Sequence, residues 1–332
     1  MSPAKPRLLL TGAAGVLGSD LVRRLAADYR LVVLVNRTPV GARTAATVRG
    51  NVSEERLGLP RGIYGDLVGE LDAIVHAAAA TDFSTDRDTV FETNVTGTAR
   101  ILDLAERSKA KLVHVSTAFV ECRGHGVADA VSPDTYLESK LRAEQLIAER
   151  GYPTVVARPS VIAGDSETGA VARLQGLHVT GAAVAHGELP LLPVEADAVV
   201  DFVPTDVVAE AIRILLRTSE PRVYWLTAGE HAVAAADLVR IAVAAGERVR
   251  GEPVLPPRLM PQDVLRRLVL PLLTDVGPEH LRARLKQFLA HSYLFESGRI
   301  FPSDLAALGL AERVTHAKLL AGLETGMAYV LK

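Results

Sequence analysis

The chain has 332 residues, 37 Lys+Arg against 39 Asp+Glu, a formal net charge of −2, and 48 % apolar residues. So even a balance, with no basic run, lacks the electrostatic footprint of a nucleic-acid binder, and the single cysteine, Cys122, excludes an internal disulfide or a cysteine-based zinc site. The length suits one large α/β domain, alone or with a smaller companion.

The opening MSPAKPRLLLTGAAG holds too short an apolar run for a signal-peptide core or a membrane span, and no later stretch reaches span length. The expectation is a cytoplasmic protein with no membrane and no nucleic-acid partner. In chain order, strands are predicted at 7–11, 30–35, 62–66, 72–77, 111–117 and 154–159, and helices at 16–28, 88–108 and 133–150. The stretch 40–60 is polar and carries no firm helix. Strands apolar on both faces that alternate with amphipathic segments predict a doubly wound parallel sheet of the Rossmann type.

Beyond residue 160 the pattern changes. Residues 164–200 carry Gly, His and Pro without a steady period, 201–216 read as an extended start followed by a helix, and 223–229 read as another strand. From 231 the chain is expected to be mostly helical, with the proline-rich 251–261 as a hinge or lid. The expected organisation is a dinucleotide-binding domain over 1–165, rejoined by 201–229. Residues 166–200 and 230–332 would form a smaller, mainly helical substrate-binding region.

LLLTGAAGVLGSDL places Gly12, Gly15 and Gly18 in G-x-x-G-x-x-G spacing between a strand and a helix. Glycines let the backbone turn sharply and approach a pyrophosphate, and the helix start offers N–H groups to the anion. Thr11, Gly12, Gly15, Val16, Leu17 and Gly18 are therefore candidate cofactor contacts. The second strand ends in Asn36 and Arg37, with no carboxylate to hold ribose hydroxyls. Arg37, with Arg43 nearby, suits a 2′-phosphate, so NADPH is expected over NAD. Asp28 precedes that strand and is misplaced for the ribose.

YLESK sets Tyr136 four residues before Lys140, on one helix face, with Ser132-Pro133 as the helix start. An ammonium beside a phenol is expected to lower its pKa toward working range, and the same lysine can hold ribose hydroxyls. HVSTAF adds Ser116 and Thr117 at the carboxyl end of a strand, where parallel sheets bind ligands. Alone the Tyr/Lys spacing is weak. In order with the glycine loop and a hydroxyl it is specific.

TGAAGVLG, GDL at 65–67, HAAA at 76–79, NVTGTARILDLA, HVSTAF, YLESK and RPSVIAG follow one another across residues 8–165. In these the chain resembles the extended short-chain dehydrogenase/reductase superfamily. The resemblance implies an NAD(P)-dependent oxidoreductase with Thr117 (rather than Ser116), Tyr136 and Lys140 as catalytic residues. It also implies Asp66 and Leu67 as adenine contacts, Ala77 and Ala78 as a wall near the ribose, and Pro159 facing the carboxamide. Asn94 would be a buried helix-bend residue that supports the lysine. HVSTAFV, DFVPTDVVAEAI and YLFESGRIFPSDLAAL are most similar to the thioester and fatty acyl reductases of the male-sterility type. That implies reduction of an acyl thioester, bound to CoA or to an acyl or peptidyl carrier protein, to an aldehyde or alcohol. The same residues would also suit a ketone or aldehyde reductase, or a nucleotide-sugar epimerase or dehydratase.

GELPLLPVEADAVV and VLRRLVLPLL are apolar enough to line an acyl channel, with Arg266, Arg267, Arg282 and Arg284 near a carrier's phosphate; the alternative is an ordinary amphipathic helix pair with a solvated basic side. His114 is expected as a satisfied core histidine and His76 as a backbone contact. His125, His178 and His186 are expected in loops, Cys122 near a pocket mouth, and no metal site is expected.

Overall fold

Strand β1 (Arg7–Thr11) shows how the layers arise. Successive side chains on a strand point to opposite faces. Leu8 and Leu10 enter one apolar cluster and Leu9 the other, all three fully buried. A strand buried on both faces belongs inside a sheet covered by helices on each side. The computed structural model describes residues 5–40, 45–83, 85–122, 134–174, 176–218, 220–264, 267 and 299–332.

Beyond β1 come α1 (Gly18–Asp28), β2 (Arg30–Val35), β3 (Ala46–Arg49), α2 (Arg61–Glu70) and β4 (Ala73–His76). A broken helix follows: α3 (Arg87–Phe91), a π-helical turn (Glu92–Thr96) and α4 (Gly97–Ser108). Then come β5 (Lys111–Val115), α5 (Asp134–Arg150), β6 (Thr154–Pro159), β7 (Val161–Ala163), α6 (Gly176–Ala185), β8 (Leu191–Leu192), β9 (Val199–Val200), β10 (Phe202–Pro204), α7 (Thr205–Thr218) and β11 (Val223–Leu226). A parallel seven-stranded sheet runs β11-β6-β5-β4-β1-β2-β3. This is the expected Rossmann architecture, and β11 rejoins the sheet beside β6.

One expectation fails in the region after β2. GIYGD at 62–66 lies in α2 rather than in a strand. Tyr64, Leu67 and, at the cap, Leu71 are its buried positions, a helical spacing of three and four, and Pro60 stands directly before the first turn. The strand that pairs β2 is instead Ala46–Arg49, largely exposed at the sheet edge, so its apolar signal is weak.

Helices α6 and α8 (Ala235–Arg250, after β12 at Val233–Ala234) pack with the carboxyl-terminal helix His316–Val330. Val184, Ala242, Leu319 and Leu323 share one apolar cluster with Leu8 and Leu10, so the core is continuous across residue 165. The segment 251–261 is anchored rather than hinge-like. Its β13 (Arg258–Leu259) pairs β8, with Arg258 N donating to Pro190 O at 2.9 Å and Met260 N to Leu192 O at 3.1 Å. No helix among the described residues is long and apolar enough to cross a membrane.

Candidate active site

The carboxyl ends of neighbouring parallel strands form the ligand-binding edge of such a sheet. Here Thr11 pairs in register with His76, and His76 with His114. Directly after Thr11 the chain makes a tight turn, with Gly15 N donating to Gly12 O at 2.9 Å and Gly18 N to Gly15 O at 3.1 Å. Gly12 has φ +79°, and a Cβ there would meet Ala77 C and O at 2.4 Å; one on Gly18 would meet Ala13 O at 2.1 Å. Two of the three glycines are therefore demanded by close backbone approach, Gly12 to the loop after β4 and Gly18 to Ala13 in the turn. The third, Gly15, is exposed. Val16 is half-buried and Leu17 buried, and the helix start at Leu17 has no side-chain cap. A bare helix start behind an exposed glycine fits a pyrophosphate.

Arg37 is exposed just past the end of β2. Asp28 is held by Arg213 at 3.1 Å and Arg217 at 2.7 Å, away from any ribose role. Asp66 and Leu67 do not join this edge. Leu67 is buried in the core, and the Asp66 carbonyl lies 3.5 Å from the guanidinium of Arg7, at the opposite, amino end of β1. The edge position next to β2 belongs instead to Gly50 and Asn51, which follow β3. Gly50 N donates to Val35 O at 2.9 Å, and the Asn51 side chain accepts from Ser53 N at 3.1 Å. Sequence reasoning missed Asn51 because β3 was missed; the signal was TVRGN, a β-branched run closed by a glycine.

Helix α5 buries Leu137, Lys140, Ala143 and Ile147, one stripe in which Lys140 occupies an otherwise apolar position at 2 % exposure. Its Nζ donates to the carbonyl of Val115, the last residue of β5, at 2.7 Å and lies 3.4 Å from His114 Nε2. Burial lowers its pKa to about 8, opposed by the Glu144 carboxylate. Tyr136, one turn earlier, is half-buried and packs with its ring 5.8 Å from that of Phe83. The expected lowering of its pKa by Lys140 is not found. Burial pushes the phenol up, and the ammonium is directed to Val115 and His114 instead. Tyr136 is thus a protonated phenol, a donor.

Thr117 follows β5 and is buried; its Oγ1 accepts from Phe119 N at 3.3 Å. Ala118, Phe119, Cys122, Leu137 and Phe301 form a small cluster against which Tyr136 packs, which brings the Thr117 turn and the Tyr136 turn together. Ser116 is committed elsewhere, donating to Glu144, whose carboxylate also takes Arg158 Nη2 at 2.6 Å. Pro159 ends β6 on the same edge, and Ala77 and Ala78 begin the loop after β4.

A directed polar thread ties the glycine turn to α5. Thr98 Oγ1 donates to Asn94 O at 2.7 Å, so it accepts from His76 Nε2 at 3.3 Å. His76 Nδ1, then unprotonated, accepts from Thr11 Oγ1 at 2.8 Å, and Thr11 accepts from Ala78 N at 3.2 Å. Asn94, inside the π-helical turn, accepts from Ala80 N at 2.8 Å and donates to Ser139 Oγ at 2.8 Å. Ser139 Oγ donates to Tyr136 O at 2.7 Å. His76 is therefore a side-chain bridge, not a backbone contact, and burial lowers its pKa to about 3.

Other expectations resolve plainly. Cys122 is fully buried rather than at a pocket mouth, and His178 is buried in α6 rather than in a loop. Arg267 is exposed. Arg43, His125, Ser132, Pro133, Arg266, Arg282 and Arg284 lie outside the described residues.

A family model described as male sterility protein matches residues 40–212. A linear gramicidin synthase of Brevibacillus parabrevis is 32 % identical over 200 residues, 49 % of this chain and 4 % of that protein. The L-2-aminoadipate reductase of Eremothecium gossypii is 30 % identical, in its large subunit, over 189 residues, 49 % of this chain and 13 % of its own length. This chain therefore spans a small part of these relatives. The crystal structure of the terminal R domain from the myxalamid PKS-NRPS biosynthetic pathway matches with a TM-score of 0.75 at 26 % identity, covering 98 % of this chain and 91 % of that one. A glycine turn at the end of β1, a Tyr/Lys pair on α5 and a family model matched through 40–212 together make the chain a member of the male sterility protein family, within the NAD(P)-binding extended short-chain dehydrogenase/reductases.

Proposed function

We propose that the protein is an NADPH-dependent reductase of acyl thioesters, with Thr117, Tyr136 and Lys140 as its catalytic residues. The observation that carries this reading is the Lys140 Nζ bond to the last carbonyl of β5, two strands from the glycine turn on the same sheet edge. Two strand spacings amount to about 10 Å, a reach that a dinucleotide bridges. Relatives named an L-2-aminoadipate reductase and a linear gramicidin synthase support a carboxyl-derived substrate, which an acyl or peptidyl carrier protein would present.

The glycine turn and the start of α1 would hold the pyrophosphate, Arg37 the 2′-phosphate, and Lys140 the nicotinamide ribose. Val16 and Leu17, with Ala77, Ala78 and Pro159, would wall the cofactor. Bound dihydronicotinamide supplies a hydride. Tyr136, held protonated by burial, gives its proton to the thioester oxygen while Thr117 donates a hydrogen bond to it. The phenolate left behind is transient and regains its proton in the collapse that follows. When the resulting hemithioacetal collapses, its C–S bond breaks, its hydroxyl proton passes back to Tyr136, the leaving thiolate takes a proton from solvent, and an aldehyde remains. A second reduction to the alcohol would use the same groups. A ketone reductase remains the second reading, because none of these residues senses sulfur.

The test follows NADPH absorbance against acyl-CoA, acyl-pantetheine, aldehyde and ketone substrates. Thioester-dependent oxidation is expected, and consumption with ketones alone displaces the thioester reading. Tyr136→Phe is expected to lower turnover about 10²–10⁴-fold with NADPH affinity unchanged. Turnover retained in that variant removes Tyr136 from the chemistry.

A further inference from the structure

Both buried histidines beside the site, His76 and His114, lie with their rings 5.4 Å apart, yet they differ in how they are satisfied. His76 has a partner on each nitrogen. His114 is 1 % exposed, its Nε2 faces Lys140 Nζ at 3.4 Å, and its Nδ1 is buried with no hydrogen-bond partner. An ammonium has only donors, so His114 can meet it only with the Nε2 lone pair, which leaves the ring proton on the unpartnered Nδ1. A residue kept only for packing has no reason to bear that cost. Valine or leucine would fill a strand position without it.

We propose that His114 is a positioning residue for Lys140, its Nε2 lone pair serving as the acceptor that, with the Val115 carbonyl, holds the buried ammonium along the carboxyl edge of β5. The inference rests on Lys140 being the cation of the proposed site. The other groups facing Lys140 do not supply this acceptor. Tyr136, one turn earlier on α5, is a protonated phenol. Glu144, one turn later, attracts the ammonium but its oxygens are taken by Arg158 from β6, at 2.6 Å and 3.1 Å, and by Ser116. His76, from β4, stands behind His114 with both nitrogens engaged. Burial holds His114 well below the usual histidine range, so it stays neutral and keeps the lone pair throughout the working pH range.

The experiment titrates Lys140 by NMR in protein carrying 13Cε-labelled lysine, the resonance assigned by its loss in Lys140→Arg. Wild-type protein is expected to titrate near pH 8. His114→Phe keeps a ring without an acceptor and His114→Leu is a second acceptor-free variant; each is expected to move the midpoint down by about one pH unit. His114→Gln restores an acceptor and is expected to return it to the wild-type value. An unchanged midpoint in the folded acceptor-free variant, or a fall in Gln matching that in Phe or Leu, overturns the proposal. The titration uses neither substrate nor cofactor. A protein inactive on every thioester would therefore sink the reductase reading and leave this one standing or falling by itself.

Discussion

Replacing Gly12 by alanine tests whether the turn after β1 is built for close backbone approach. The added Cβ would sit 2.4 Å from the Ala77 carbonyl carbon and oxygen and 2.6 Å from Ala78 N, where ordinary contact begins at 3.4 Å. The β1–β4 gap would have to open by about 1 Å, against close packing. With φ at +79° an L residue also carries about 1–2 kcal/mol of backbone strain. Opening the gap stretches the bonds from Ala77 N to Thr11 O (3.3 Å) and from Ala78 N to Thr11 Oγ1 (3.2 Å). Each such bond contributes about 1 kcal/mol net, so the total loss is about 3–4 kcal/mol. Gly15→Ala is the control: its Cβ would lie 3.1 Å from Gly12 O at an ordinary φ, and the expected loss is below about 1 kcal/mol. Urea unfolding followed by circular dichroism measures both, and NADPH fluorescence gives cofactor affinity alongside. A Gly12→Ala protein within about 1 kcal/mol of wild type, or a Gly15→Ala protein equally destabilised, would refute the reasoning.

Two further outcomes follow from charge. Arg37→Asp is expected to weaken NADPH at least tenfold while sparing NADH, read from kcat/KM with each cofactor; equal loss with both would remove Arg37 from the 2′-phosphate. Lys140 has a folded pKa of about 8 against an ordinary 10.5, so the unfolded chain holds the extra proton between those values. Its contribution to folding stability therefore rises with pH from about 8 to 10.5, while activity that needs the ammonium falls over the same interval. Comparing wild type with Lys140→Met by urea unfolding at pH 7 and pH 10 checks the sign; an identical stability difference at both values contradicts it.

The sheet and its glycine turn were legible because their signals are local. RLLLT and RLVVLV are apolar on both faces, and the glycines stand between a strand and a helix, so periodicity and spacing carry them. GIYGD failed because five residues with two glycines and a tyrosine read equally well in either period, and tertiary packing of Tyr64 and Leu67 decided for helix. That error left Asn51 unread, and the resemblance set Asp66 and Leu67 at the adenine in its stead. It shows how a motif match depends on the strand beneath it.

Chemistry-bearing residue types and their order along the chain belong to the primary structure: Gly12, Gly15, Gly18, Thr117, Tyr136 and Lys140 are the residues from which a dinucleotide-linked acid–base site is proposed before any fold is known. Their protonation does not. Whether the phenol is lowered by an ammonium or raised by burial depends on where the Lys140 side chain goes, and that is set by Val115 and His114 on a strand 25 residues earlier. Desolvation and hydrogen-bond direction are properties of three-dimensional surroundings, so only the packed sheet edge could turn Tyr136 into a donor and give His114 a task.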